Sequence, residues 1–387
     1  MKFKITLIVV IVLSIIMFFP VIVNAQEESV NQQDLIDEYY KEQLELSGAK
    51  SLWDELPSET KNSLINFGID DFDWKSINSL KPESVFNELA RIAKSKSSLP
   101  VKTIIHIVGI ILLCALMEGM KISFSDNTLS GIIGVVSVLC ICLVIINPVV
   151  NCIASTAKII KIAAMFMLCY IPIITGLMIA SGQSFSATSY NALMVWVSEI
   201  IAQISSELLV PILNVFLSLS IVSSLSSKMN FKGISDTAMT VFKWMLGCVM
   251  TIFVAVLGLQ TIVGSSADGV GIRTTKFMIN SFVPVVGSAL GEALGAIQGS
   301  VRLLKSGVGA FGLIAIGFVF IPTLIECILW ILSLNICAAI GDVFNLKTIS
   351  DLLRSTSKVV GLILAITLCI MTILIVSTVI VLNAGSA

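Results

Sequence analysis

Hydrophobic and polar positions divide the chain into three stretches. Residues 5–19 form an apolar run preceded by Lys2 and Lys4 and closed by Pro20. Residues 26–100 mix polar and apolar positions, and from residue 101 long apolar runs dominate. A membrane-crossing helix needs about 20 apolar residues. Residues 103–120, 129–150, 162–181, 241–263, 307–336 and 359–382 each supply such a run. The run 188–225 has 38 residues; as one helix it would be about 57 Å long, against a hydrocarbon core of about 30 Å. Ser205, Ser206, Glu207 and Pro211 offer a break there, so two short spans or half-spans are expected. The count is then seven or eight spans, some broken or re-entrant. Only helices and closed barrels satisfy the backbone in lipid, and long continuous apolar runs exclude the barrel. The expected fold is all-α: a polytopic helical membrane protein with a small helical extracytoplasmic N-terminal region.

The first 25 residues have the layout of a signal peptide: a basic start, an apolar centre, and Val23, Asn24 and Ala25 before Gln26 as a cleavage site. An uncleaved anchor helix is the alternative. Either way residues 26–100 are expected outside the cytoplasm. In that region Pro82 suits the first turn of a helix, where its missing N–H costs nothing. Val85, Leu89 and Ile92 then share a face at helical spacing. Leu35, Ile36, Tyr39 and Tyr40 suggest an earlier amphipathic helix. Trp53, Phe67, Phe72 and Trp74 could make a small core or lie on the membrane surface. The region reads equally as a docking surface or as a cap over residues 101–387, the polytopic domain.

Charge sharpens this division. Residues 26–100 carry 15 Asp/Glu and 8 Lys/Arg, whereas 101–387 carry 10 and 14. The whole chain is 13% charged and 56% hydrophobic with a net charge of −1. A soluble domain carries about 25% charge, so a soluble enzyme is excluded, and the missing basic face excludes nucleic acid as a partner. The bilayer is the partner that composition implies.

The segment 268–300 is the most distinctive. Gly287, Gly291, Gly295 and Gly299 recur every four residues. On a helix they make one row nearly free of side chains, the pattern that lets two helix backbones approach in lipid. Glycine costs about 1 kcal/mol against alanine in a helix interior, so such a row calls for a reason. Close packing is one; lining a pathway, or contacting a second copy, is the other. Pro284 and the polar residues nearby argue against a plain span, and a broken helix facing protein or water is expected.

Asp268, Gly269, Arg273, Thr274, Lys276 and Phe277 spell D-G-x-x-x-R-T-x-K-F, and residues 282–287, with Pro284, spell F-x-P-V-x-G. With the glycine row, these segments resemble the stage III sporulation protein AE family. The layout of signal sequence, acidic region and many spans agrees. The resemblance implies a multi-pass protein of the mother-cell membrane around the forespore, with its N-terminal region in the intermembrane space. It also implies membership of an export-like channel complex, whose partners are other stage III sporulation proteins and a forespore membrane protein. That complex supports late forespore gene expression. No catalytic residues come with the family.

Ionisable residues within apolar runs are costly and usually face a bundle interior or a water-filled cavity. Glu292 and Glu326 are candidates for a polar path, while Glu118, Glu199 and Glu207 read more simply as lying near helix ends. The nine cysteines include no C-x-x-C and His106 is the sole histidine, so no metal site is expected. The cysteines read as small apolar residues. No phosphate-binding loop is present. Residues 339–342 lack the first glycine of the G-x-G-D of membrane aspartyl proteases. Neither an enzyme nor a cofactor is expected. A stand-alone secondary transporter is the competing class, since broken helices near the midplane mark such proteins, and a structural anchor without a pore is a third.

Overall fold

The computed structural model describes residues 44–66, 69, 82–121, 127–225, 232–282 and 287–383. Two short helices, α1 (Ser51–Asp54) and α2 (Ser58–Asn66), precede the long ones. These are α3 (Pro82–Lys121), α4 (Asn127–Ala180), α5 (Ser184–Gln203), α6 (Val210–Leu225), α7 (Lys232–Phe282), α8 (Gly287–Val343) and α9 (Lys347–Asn383). Six helical runs are long and apolar enough to cross a membrane, α5 and α6 counting as one. No strand occurs among the described residues.

The helices are longer, and the candidate spans fewer, than the apolar runs imply. The runs 129–150 and 162–181 lie on one 54-residue helix, α4. Residues 151–161 between them contain neither glycine nor proline, so nothing ends the helix. At 1.5 Å per residue α4 is about 81 Å long, more than twice the hydrocarbon thickness. The break expected in 188–225 takes another form. Ile204–Leu209 is a π-helical turn joining α5 to α6 without a gap. Pro211 follows it, and a proline lacks an N–H and crowds the carbonyl four residues back. The wider turn absorbs that misfit with a local bulge.

Successive long helices run antiparallel, counting α5–α6 as one, while α7 and α9 run parallel, and named contacts set the register. Cys114 Sγ of α3 meets Ser137 Oγ of α4 at 2.8 Å. Cys152 of α4 and Cys327 of α8 lie 3.9 Å apart. Further along, a Cβ placed on Gly312 of α8 would sit 2.5 Å from the ring of Tyr170, and one on Gly309 would strike Leu382 of α9. Asn335 Nδ2 donates to Ser357 Oγ at 3.0 Å, tying α8 to α9. α8 and α9 form the hub: 67% of the most apolar window of each is buried, against 6% for α7.

Pro82 begins α3 as expected, and Ile92 is buried. α3 then continues through Pro100, the expected boundary between the polar and apolar regions, without a break. The polar region is joined to the bundle: Leu52, Leu56, Leu64 and Ile69 belong to the same apolar core as the long helices. The Trp53 ring packs on Phe311 of α8 with centroids 6.1 Å apart. Phe67, Phe72 and Trp74, the helix suggested at 35–40 and the signal segment 1–25 lie outside the described residues.

Candidate functional site

The first backbone N–H groups of any helix lack intrahelical partners. α5 starts straight after a tight turn, in which Gly182 adopts a φ of 88°, a conformation glycine takes without a Cβ clash. The cap residue Gln183 supplies no side-chain cap. The cap comes instead from α7, 83 residues away: Asp268 Oδ1 accepts from Phe185 N at 2.8 Å and Oδ2 from Ser186 N at 3.1 Å. Asp268 is buried, at 8% exposure. A carboxylate at a helix N-terminus gains from charge-assisted hydrogen bonds and from the helix dipole together.

The same face of α7 docks one and two turns earlier. A Cβ on Gly264 would lie 2.5 Å from Ser186 Oγ and 3.2 Å from its Cα. Gln260 Nε2 donates to Ser189 O at 2.8 Å. On the other side of the turn, buried Lys305 of α8 donates from Nζ to Gln183 Oε1 at 3.0 Å. The α4–α5 turn is thus gripped by Asp268 on one side and Lys305 on the other. Beneath it, Ser186, Tyr190, Gln260 and Thr261 contribute to a cavity of about 20 Å³, room for a single water. It is a structural joint, too small for a solute.

A second cluster surrounds Glu326, which is partly buried on α8. Lys96 of α3 and Glu59 of α2 are the charges that face it, and Trp330 lies one turn along. Lys96 and Glu59 pair at 3.3 Å. Glu326 therefore lies beneath the polar N-terminal helices. The Cys152–Cys327 contact adjoins it. Among the described residues no group of three metal-binding side chains occurs.

Of the other residues singled out from sequence, Gly269 packs against nothing, and the Thr274 hydroxyl donates to Val270 O at 2.9 Å within α7. Gly287, Gly291, Glu292 and Gly295 fall on α8, but their side-chain surroundings lie outside the described residues, as do those of Arg273, Lys276 and Pro284. At Gly299 an added Cβ would meet open space, and helix-on-helix contact through glycine occurs further along α8, at Gly309 and Gly312. Asp268 and Glu326 are not brought together. Lys305, at the level of the turn, is 21 residues from Glu326, about 32 Å along α8. Sequence reasoning missed Gly264, Gln260, Gln183 and Lys305. Their signal is a spacing of four along α7 and a lysine just ahead of the apolar run 307–336, neither of which names a partner.

Comparison with known proteins places these residues in context. The profile of the family described as Stage III sporulation protein AE matches residues 72–385. Stage III sporulation protein AE of Bacillus subtilis (strain 168) is 23% identical over 259 residues, covering 66% of this chain and 63% of that protein. The chain thus aligns with less than two thirds of that relative's length. No solved structure matches.

Proposed function

The chain belongs to the family of stage III sporulation protein AE, and we propose that it is a membrane component of the stage III complex linking mother cell and forespore. In this reading it resides in the mother-cell membrane around the forespore, with its N-terminal region in the intermembrane space. It assembles there with the other stage III proteins and a forespore membrane partner, and the assembly sustains late forespore gene expression. The observation that carries the reading is the family match, which runs unbroken through the long helices from residue 72 to 385. Six apolar helices suit a multi-pass subunit.

An in-frame deletion in the spore-forming host, scored by a late forespore reporter after engulfment, tests this. Loss of the signal in engulfed forespores, restored by the wild-type copy, is the expected result. An unchanged signal sinks the proposal and brings the stand-alone transporter forward.

A further inference from the structure

Five prolines lie inside the long helical runs: Pro100, Pro148, Pro172, Pro211 and Pro322. They are far apart in sequence, yet the interhelical register brings four of them to one height. Cys114 beside Ser137 sets Pro100 level with residue 151 of α4, close to Pro148. Cys152 beside Cys327 and Tyr170 beside Gly312 set Pro322 level with residue 158 or so. Phe216 packs on Phe242, with centroids 6.4 Å apart, and Cys369 Sγ contacts Leu246 O. Through Leu382 beside Gly309, that places Pro211 level with Pro322. At 1.5 Å per residue the four fall within about 15 Å along the bundle axis. Pro172 stands apart, 24 residues beyond Pro148 on α4.

Further features lie in or beside this slab. The π-helical turn Ile204–Leu209 adjoins it, ending just before Pro211. Thr156 turns its hydroxyl back to Cys152 O at 2.8 Å, as Thr367 of α9 does to Ile363 O. Glu326 and its neighbours Lys96 and Glu59 are there too. A proline removes one backbone hydrogen bond and pushes its ring against the preceding turn, and sharp helix bends arise mostly at prolines and π-bulges. α7 and α9 cross the same slab with no proline at all.

We infer that this slab is a hinge plane: α3, α4, the α5–α6 run and α8 bend there, around α7 and α9 as unbroken struts. The end bearing the α4–α5 turn changes angle relative to the end bearing the α8–α9 turn. Bending in the slab shifts Glu326 against the Lys96–Glu59 pair that covers it, so the hinge couples bundle shape to the seating of the N-terminal helices.

Hydrogen exchange on the purified full chain in lipid nanodiscs, read by mass spectrometry, tests this. Amides of residues 144–152, 204–213 and 318–326 should exchange at least about tenfold faster than those of 242–250 and 362–370, which lie at the same height. Burial alone predicts the reverse for α7, the most exposed helix. Equal or slower exchange at the proline sites overturns the hinge. A second measurement uses the native thiols. Copper–phenanthroline takes two electrons from Cys152 and Cys327, whose thiols release two protons as the S–S bond forms. The sulfurs, 3.9 Å apart, must first close to about 2 Å. The cross-link, identified by peptide mass, should form several-fold faster in the wild type than in Pro148→Ala/Pro322→Ala. Equal rates in a variant that elutes as the folded protein also overturn it.

Discussion

Asp268 and Gly269 are adjacent in a distinctive segment, but the fold uses them differently. Asp268 caps a helix on the far side of a joint, whereas Gly269 faces open space. Asp268→Asn keeps the shape but loses the charge and one acceptor. Thermal unfolding in detergent should show a loss of about 1 kcal/mol, the scale of a helix cap. The glycines give a sharper contrast. Gly269→Ala should be neutral or stabilising by up to about 1 kcal/mol, because alanine is the better helix former. Gly264→Ala forces a methyl against the Ser186 backbone and should cost about 1–3 kcal/mol. If both substitutions melt alike, the docking of α7 on α5 is wrongly drawn. The sequence picked out Asp268 by its motif, but nothing in it could name Phe185 or Ser186 as partners. A cap supplied from 83 residues away has no local pattern.

At the scale of the element, helix type was written into the apolar periodicity and the start of α3 into Pro82. Helix length was not. Pro100 reads as a boundary, and Ser205, Ser206, Glu207 and Pro211 as a break, yet tertiary packing carries α3 through Pro100 and joins α5 to α6 through a π-helical turn. Local propensity sets the cost of continuing, and burial on neighbouring helices outweighs it. The same packing ties down the N-terminal helices. α1 and α2 total 13 residues, too short to be stable alone, so they depend on contacts such as Trp53 on Phe311. Trp53→Ala should loosen them by about 1–3 kcal/mol, given that the ring is only partly buried. Limited proteolysis within residues 44–66 should then speed up while the bundle's melting temperature stays put. A shared fall in both would mean that α1 and α2 are structurally inseparable from the bundle.

For the whole molecule, stability should concentrate in the α8–α9 hub. Trp330, 1% exposed in α8, is expected to cost about 3–5 kcal/mol as Trp330→Ala. The exposed Asp236–Lys358 pair, 2.7 Å long between α7 and α9, should contribute less than about 1 kcal/mol, measured as the change on Lys358→Ala. A reversal of that order would move the hub to the bundle surface. Composition and apolar run length alone determined an all-α polytopic membrane protein, because a chain this poor in charge must satisfy its backbone internally in lipid. The signature segment alone pointed to the family. Tertiary structure decided which helices are continuous, that Asp268 serves α5, that Glu326 lies under Lys96 and Glu59, and that four scattered prolines share one height. Each depends on the register between packed helices, antiparallel or parallel. That register is fixed by side chains meeting across the bundle, at sequence separations over which no local pattern extends.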